Sequence, residues 1–237
     1  QTCALPIFGE DRHLHRVREF PVHRKIGHRL GENAVGTGLD AALGALDRGI
    51  HVFLEKPPGA TLAEVAALEA QADKVGATLF AAWHSRFAAG VAPARAWLAE
   101  RRIEKVEITW REDVRVWHPG QAWIWEPGGL GVFDPGINAL SIATRILPRP
   151  IFLQSGTLEI PANRDAPIAA DLNFRDSRGA RVHMDLDWRQ TGPQSWDIVV
   201  ETEAGLLKLS SGGAVLTLPS GTSTVKSTWS VPAPCLM

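Results

Sequence analysis

Hydrophobic residues in the first half of the chain recur with the periods of an α/β fold. From Leu39 to Gly49 they fall at helical spacing, and Thr61 and Glu64 form a capping box ahead of a second, alanine-rich stretch. Short runs rich in β-branched and aromatic residues separate the helical stretches. The pattern predicts helices at residues 39–48, 61–76 and 88–101 and strands at residues 51–54 and 77–84. This order predicts a parallel sheet with helical crossovers.

The period changes after Lys105, where apolar and polar residues begin to alternate. Val106, Ile108 and Trp110 fall on one face of residues 106–112. Further runs of this kind predict strands at residues 151–160, 169–175, 180–188, 196–202, 206–210 and 214–218. Such alternation indicates an antiparallel sheet with one covered face. The fold class is therefore α/β followed by α+β.

A tryptophan-rich polar loop and one helix lie between these two parts. The loop covers residues 115–131, and the helix is predicted at residues 134–147. Asp134 is a natural N-cap residue and Pro135 a natural first helical residue. We therefore expect the helix to begin at Asp134.

The two ends of the chain show neither helical spacing nor strand alternation of hydrophobic residues. Residues 1–40 are crowded with basic side chains, and residues 221–237 are rich in Ser, Thr and Pro, which predicts coil. Residues 36–41 match a loose dinucleotide-binding pattern, but they do not follow a predicted strand, and the pattern alone is weak. The sharp change in composition on each side leads to the hypothesis that both ends are non-native sequence around a genuine core.

Composition narrows the class of protein. A net charge of −1 supplies no field for nucleic acid, and no apolar run approaches the length of a membrane span. The two cysteines, Cys3 and Cys235, lie at opposite ends and form no disulfide framework. Residues 1–30 lack the apolar core of a signal peptide. These features predict a soluble, cytoplasmic protein.

Two of the predicted strands end in polar side chains that suit a ligand site. Lys56 follows the first strand directly and is held at its rim by Pro57, and His84 ends the second. The carboxyl ends of parallel strands meet at one edge of a sheet, where open α/β sheets bind their ligands. A solvated lysine at an ordinary strand end is the alternative interpretation.

The motifs of this chain resemble those of the Gfo/Idh/MocA oxidoreductases. Two of them carry the resemblance: His-Val-Phe-Leu-Glu-Lys-Pro at residues 51–57 and Gly-Gly-Leu-Gly-Val-Phe-Asp-Pro-Gly-Ile-Asn at residues 128–138. The similarity covers roughly residues 45–218. Within the family, the tryptophan-containing motifs at residues 83–86, 110–113, 117–120 and 123–127 are most similar to the aldose 1-dehydrogenases that act on L-arabinose and D-galactose.

The resemblance implies a particular domain organisation. It divides the chain into an unmatched segment 1–40, a remnant of a dinucleotide-binding Rossmann domain at 41–104, a substrate and oligomerisation domain at 105–220, and an unmatched tail 221–237. It also implies NAD or NADP as cofactor and a homo-oligomer built on the antiparallel sheet. The first strand and glycine-rich phosphate loop of the family are not visible in residues 1–40, and its long final helix is not visible in residues 221–237.

The chemistry that follows is oxidation of an aldose at C1 to the lactone. Lys56 can hydrogen-bond O1, and Asp134 and Asn138 lie four residues apart on one helix face. Many relatives have a histidine in place of Asn138, and because an amide cannot accept a proton the acid/base role moves to Asp134, with Lys56 as its partner. A pure helix cap is the alternative role of Asp134.

The resemblance also implies the binding residues. Those expected to line the sugar pocket are His84, Glu112, Trp117, His118 and Trp196, and those expected on the cofactor side are Glu55, Lys56 and Pro57. No metal site is expected. The competing hypotheses are an inactive sugar-binding or partner module, and another reaction of the family such as inositol oxidation or biliverdin-type reduction.

Overall fold

The computed structural model describes residues 37–220. The predictions for residues 1–36 and for the tail at 221–237 therefore lie outside the described residues. Within the described part, no helix is long and apolar enough to cross a membrane. The first helix already includes residues 38–41 of the loose glycine pattern.

The first part of the fold is a parallel pair of strands with two helices, which we call the small layer. It consists of α1 (Thr37–Leu46), β1 (Val52–Glu55), α2 (Leu62–Val75) and β2 (Leu79–Ala82). The strands pair in parallel from Val52 opposite Leu79 to Glu55 opposite Ala82. This arrangement confirms the parallel strand pair that the sequence predicts.

The capping box at the start of α2 explains why that helix begins where it does. The Thr61 hydroxyl accepts a hydrogen bond from the Glu64 backbone N–H at 3.2 Å, and the Glu64 carboxylate accepts one from the Ala60 N–H at 2.7 Å. Gly76, with φ of 65°, ends the helix in the left-handed conformation. Leu46 and Leu68 face each other between the helices with no exposed surface.

The second part is a seven-stranded sheet with the helices that cover it. We call this part the large sheet. A short 3₁₀ segment (His84–Phe87) and α3 (Val91–Leu98) lead into it. Its strands are β3 (Ile103–Arg111), β4 (Ile151–Glu159), β5 (Ala169–Asp176), β6 (Arg181–Asp187), β7 (Ser195–Thr202), β8 (Gly205–Ser210) and β9 (Val215–Thr217), in the order β4-β5-β6-β3-β7-β8-β9. The α+β fold predicted for this half is confirmed.

One pair of strands in the large sheet is parallel. β3 runs antiparallel to β7 but parallel to β6, with Lys105 opposite Arg181 and Arg111 opposite Asp187. Alternation of apolar and polar residues depends only on one face being covered, so it does not distinguish the two pairings. The sheet is therefore mixed, and its other neighbours are antiparallel.

Helix α5 (Phe133–Ile146) covers one face of the large sheet. A side chain at Gly136 would meet Leu186 Cδ1 at 2.6 Å, so this glycine lets the first turn of α5 lie directly on β6. The buried side chains beneath the helix come from alternate positions of the central strands and include Ile108, Met184, Leu186 and Ile198. The start of α5 is thus fixed against the middle of the sheet.

The predicted N-cap role of Asp134 is wrong. Helix α5 begins at Phe133, and its N-cap Val132 makes no side-chain capping bond. Backbone turns bind the first N–H groups instead: Phe133 donates to the Leu130 carbonyl and Asp134 to the Gly131 carbonyl. Because the backbone does this work, the Asp134 side chain in the first turn is available for other contacts.

Candidate active site

Lys56 joins the two parts of the fold at the carboxyl end of β1. It follows Glu55 directly, and its peptide bond to Pro57 is cis. Its ammonium group donates to the backbone carbonyl of Asp134 at 2.8 Å and lies 3.1 Å from the Asp134 carboxylate atom Oδ1. Both side chains are only 14% exposed, so the pair is shielded from water. A strand end of the small layer and a helix start of the large sheet therefore share one polar contact.

His118 approaches the same carboxylate from another direction. It follows the short helix α4 (Val114–Trp117), and its Nε2 lies 3.5 Å from Asp134 Oδ2. Its Nδ1 lies 3.0 Å from Gln121 Oε1, within the loop that leads to a 3₁₀ turn (Ala122–Trp125). Its ring centroid lies 5.1 Å from that of Trp188. Three of the residues proposed from sequence, Lys56, His118 and Asp134, thus meet at one carboxylate.

Glu112 is a buried carboxylate held by two tryptophans. It comes directly after β3, and each of its oxygens accepts one indole N–H, from Trp188 at 3.2 Å and from Trp196 at 2.8 Å. Burial raises the pKa of Glu112, while the two indole donors and the nearby His118 oppose that rise. The carboxylate is 4% exposed. Its contacts therefore serve to hold the two indole rings in place.

The indole rings form an aromatic wall beside this carboxylate. Trp196 lies 5.2 Å from Trp117 and 6.1 Å from Trp110 between ring centroids, and Trp188 lies 5.2 Å from Trp125. Trp117 is 45% exposed, so part of its surface is open to a ligand. Aromatic rings of this kind can cover the C–H face of a sugar ring.

Two predicted site residues have no hydrogen bond, ion pair or ring contact to this cluster within residues 37–220. His84 begins the 3₁₀ segment after β2, which packs against α5, and its Nδ1 lies 3.3 Å from the Ser85 hydroxyl. Asn138 lies one turn after Asp134 on α5, and its backbone carbonyl accepts the Ser141 hydroxyl at 2.7 Å. Their predicted roles toward the sugar remain predictions.

Sequence patterns did not reveal three residues that shape the site: Trp188, Gln121 and Gln194. The alternating pattern identified Trp188 only as a residue on the covered strand face, whereas it donates to Glu112. Gln121 contacts the His118 ring, and the Gln194 side-chain carbonyl accepts the Trp117 indole N–H at 3.0 Å. A buried tryptophan predicts that a hydrogen-bond acceptor lies near its indole N–H, but not which residue supplies it. Identifying Glu112 as that acceptor required the parallel register of β3 and β6, which places Arg111 opposite Asp187 one residue earlier.

Comparison with known proteins finds both close relatives and more distant structures. The galactose 1-dehydrogenase of Pseudomonas fluorescens is 46% identical over 181 residues, which cover 76% of this chain and 58% of that protein. The crystal structure of a D-galactose-1-dehydrogenase protein from Rhizobium etli is 65% identical with a TM-score of 0.73, over 76% of this chain and 58% of that one. No family model matches the chain.

A more distant structure shows how widely the fold is shared. An inositol dehydrogenase homologue from Azotobacter vinelandii, in complex with NAD⁺, is 17% identical with a TM-score of 0.67. The match covers 80% of this chain and 54% of that one. At this identity the similarity concerns the fold alone.

The two-layer fold and its motifs define a class of protein: the part of the chain that matches these relatives belongs to the Gfo/Idh/MocA-type oxidoreductases. Within that class, the matched part is homologous to galactose 1-dehydrogenases. The chain spans 58% of the length of those two relatives. A partial match of 181 residues fits the prediction that the two ends lie outside the resemblance.

Proposed function

We propose that this protein is a dehydrogenase that oxidises an aldose of the D-galactose or L-arabinose type at C1, with NAD or NADP as hydride acceptor. The contact between Lys56 and Asp134 is the observation that carries this proposal. It places an ammonium and a carboxylate at the carboxyl edge of a parallel strand pair, where α/β folds bind their ligands. The homology to galactose 1-dehydrogenases supports the choice of substrate.

The reaction requires one group that takes a proton and one that stabilises negative charge. Oxidising a hemiacetal removes a hydride from C1 and the proton from O1. Asp134 takes the O1 proton, and the Lys56 ammonium beside it stabilises the oxygen as it loses that proton. Asn138, whose amide cannot accept a proton, positions the sugar from the next turn of α5.

We place the nicotinamide end of the cofactor beside the carboxyl end of β1. Glu55, Lys56 and Pro57 would hold this end at the rim of β1, where the ring supplies the hydride acceptor. Lys56 already contacts Asp134 there, so sugar and cofactor would meet at one strand end.

The sugar pocket is proposed to lie along the aromatic wall beside Asp134. Trp117 and Trp196 would cover the C–H face of the ring, and His84 and Glu112 would face its hydroxyl groups. The half-exposed Trp117 ring and the Glu112–Trp196 hydrogen bond support this arrangement. Glu112 is the least accessible member, because both of its oxygens already accept an indole N–H.

The domain division also remains a proposal. We place a Rossmann-type domain at residues 41–104 and a substrate domain at residues 105–220. Two separate hydrophobic clusters support this division, one within the small layer and one around the large sheet. The cytoplasmic location expected from composition likewise stays a prediction.

We further propose that the uncovered face of the large sheet joins copies of this chain. Lys105, Arg181 and Arg175 stand in one row across three neighbouring strands, although like charges in register repel. Asp171 and Asp185 form a row of opposite charge further along the same face. A second copy related by a two-fold axis would bring each cationic row over an anionic one. Light scattering tests this: Arg181→Glu should lower the oligomer mass, and an unchanged mass would contradict the interface.

Two measurements on the whole chain test the proposed reaction. Tryptophan fluorescence should change when D-galactose or L-arabinose is added, because Trp117 and Trp196 lie in the proposed pocket. Reduced nicotinamide should form when either sugar is mixed with NAD⁺ or NADP⁺, and inositol should give none. Sugar binding without hydride transfer would contradict the dehydrogenase and favour the sugar-binding module. Turnover of inositol in preference to the aldoses would contradict the substrate.

A further inference from the structure

The Asp134 carboxylate is shared between two partners of different chemistry. Lys56 Nζ lies 3.1 Å from Oδ1, and His118 Nε2 lies 3.5 Å from Oδ2. The side chains of all three residues are between 14% and 16% exposed. One oxygen therefore faces a permanent hydrogen-bond donor, and the other faces a group that can bind or release a proton.

The loop around His118 fixes which ring nitrogen faces Asp134. Nδ1 lies 3.0 Å from Gln121 Oε1, and because a carbonyl oxygen only accepts, this contact favours the neutral tautomer with its hydrogen on Nδ1. In that tautomer Nε2, which lies 3.5 Å from Asp134 Oδ2, can accept a proton. Trp188, itself bound to Glu112, packs on the ring at 5.1 Å and limits its rotation.

We propose that His118 is the proton-relay partner of Asp134: it takes the substrate proton from Oδ2 and returns Asp134 to its ionised form. This inference rests on the proposed function. In the oxidation, a bound nicotinamide would accept the C1–H electron pair as hydride, while the O1–H bond breaks and the C1=O1 bond forms. The proton released from O1 binds Asp134 and then moves to Nε2, so no charge is left on the lactone.

The surroundings of His118 suit a ring that becomes positive for part of each cycle. Asp134 faces it from α5, and Glu112 faces it from the end of β3. The only cation placed at the same carboxylate among the described residues, Lys56, is bound to the opposite oxygen, Oδ1. Asn138 on α5 cannot accept a proton, because its side chain is an amide. His118, in the loop after α4, can accept one in its place.

The alternative role for His118 is the one expected from the sequence, a hydrogen bond to a sugar hydroxyl. The two roles affect different kinetic constants. Loss of a sugar contact weakens binding and raises KM, whereas loss of a relay slows turnover and lowers kcat. Steady-state kinetics of His118→Gln therefore separate the two.

For the relay we expect His118→Gln to lower kcat by about 10- to 100-fold, at the lower end of general acid/base effects, with KM changed by less than about twofold. The deficit should shrink as pH rises, because hydroxide can take the proton from Asp134 directly. Added imidazole should restore part of the activity of His118→Ala, and it should not restore Asp134→Ala. A raised KM with normal kcat, or no rescue by imidazole, would overturn the relay.

A second measurement needs no turnover. Nitrogen-15 NMR of the whole chain should show neutral His118 protonated at Nδ1, and Asp134→Asn should shift the Nε2 resonance of His118 but not that of His84. A neutral ring protonated at Nε2 would overturn the proposal.

The relay and the proposed function fail in different ways. A wild-type chain that reduces no nicotinamide with any aldose contradicts the proposed function, and the relay falls with it. A wild-type chain that is active while His118→Gln keeps a normal kcat contradicts the relay alone.

Discussion

The small layer and the large sheet bury their hydrophobic residues to very different degrees. The core of the small layer consists of Ala42, Leu46, Leu68 and Ala72. Phe53 and Phe80 on its strands stack on each other at 5.4 Å but are 66% and 43% exposed. In the large sheet, side chains as big as Trp188 are fully buried, and the core includes residues from almost every strand. Buried apolar area is the main source of stability, so the large sheet is the more stable part.

The candidate site combines these unequal parts. Asp134, His118 and Glu112 all belong to the large sheet and its loops, whereas Lys56 alone comes from the small layer. A rigid region thus holds the groups proposed to accept the proton, and a weakly packed one supplies the cation beside them. The position of Lys56 depends on how well the small layer stays folded against its partner.

The largest expected effect comes from removing the acid/base group of the rigid part. Asp134→Ala should lower kcat by about 10²- to 10⁴-fold, with less change in sugar affinity, because proton transfer is lost. Asn138→Ala should lower kcat less, since a positioning donor contributes orientation only. Steady-state kinetics with an aldose and NAD(P)⁺ measure both. Normal turnover of Asp134→Ala together with an inactive Asn138→Ala would reverse the roles of these two residues.

The next largest effect compares the two cores directly. Leu186→Ala in the large sheet should lower the free energy of unfolding of the described fold by about 2–5 kcal/mol, because it opens a cavity beneath α5. Leu68→Ala is the matched variant in the small layer, where the same truncation should promote local opening only. Hydrogen exchange should then speed up in α2 and β1 while β3 and β6 stay protected. Faster exchange throughout both parts would show that they unfold as one unit.

A smaller effect tests the buried carboxylate of Glu112. Burial raises its pKa, so its neutral form is favoured in the folded state, and its contribution to stability is lost as pH rises through the folded pKa. Glu112→Gln has no such charge, and its stability relative to wild type should therefore improve from acid to neutral pH. Thermal unfolding across that range measures the difference. A stability difference that does not vary with pH would show that Glu112 keeps an ordinary pKa.

The smallest effect is expected on the open face of the large sheet. His183 lies 2.8 Å from both Asp171 and Glu107, and its hydrogen bond to Asp171 is the main reason that its pKa is raised. A raised pKa means that its stabilisation is complete at acid pH and lost as pH rises through the folded pKa. His183→Gln should thus lower the free energy of unfolding by less than about 1 kcal/mol in mild acid, as for partly exposed ion pairs, and should not change it in alkali. The opposite pH trend would contradict the assignment.

Sequence patterns predicted most of the fold because periodicity reports which face of an element is covered. The strands of the large sheet and the capping box at Thr61 follow directly from this. The parallel pairing of β3 with β6 could not follow, since alternation is the same in both kinds of sheet. The N-cap of α5 was misplaced by two residues, at Asp134 instead of Val132, because backbone turns replace the side-chain cap.

The candidate site was predictable as a set of residues but not as an arrangement. The motifs named Lys56, Asp134 and His118, and the first two lie at ends of elements that topology brings to one edge. The contact of His118 with Asp134 depends on the conformation of an irregular loop, which hydrophobic periodicity does not predict. The tryptophan pair on Glu112 depends on strand register, which the sequence of each strand does not contain.

The central claim is that Lys56 and Asp134, from two separate parts of the fold, act as one reacting centre. A double-mutant cycle on kcat/KM with Lys56→Met, Asp134→Asn and the double variant tests it most directly. If the two groups act as a unit, the double variant should be about as slow as the slower single variant. Losses that multiply, as expected for independent residues, would contradict the claim.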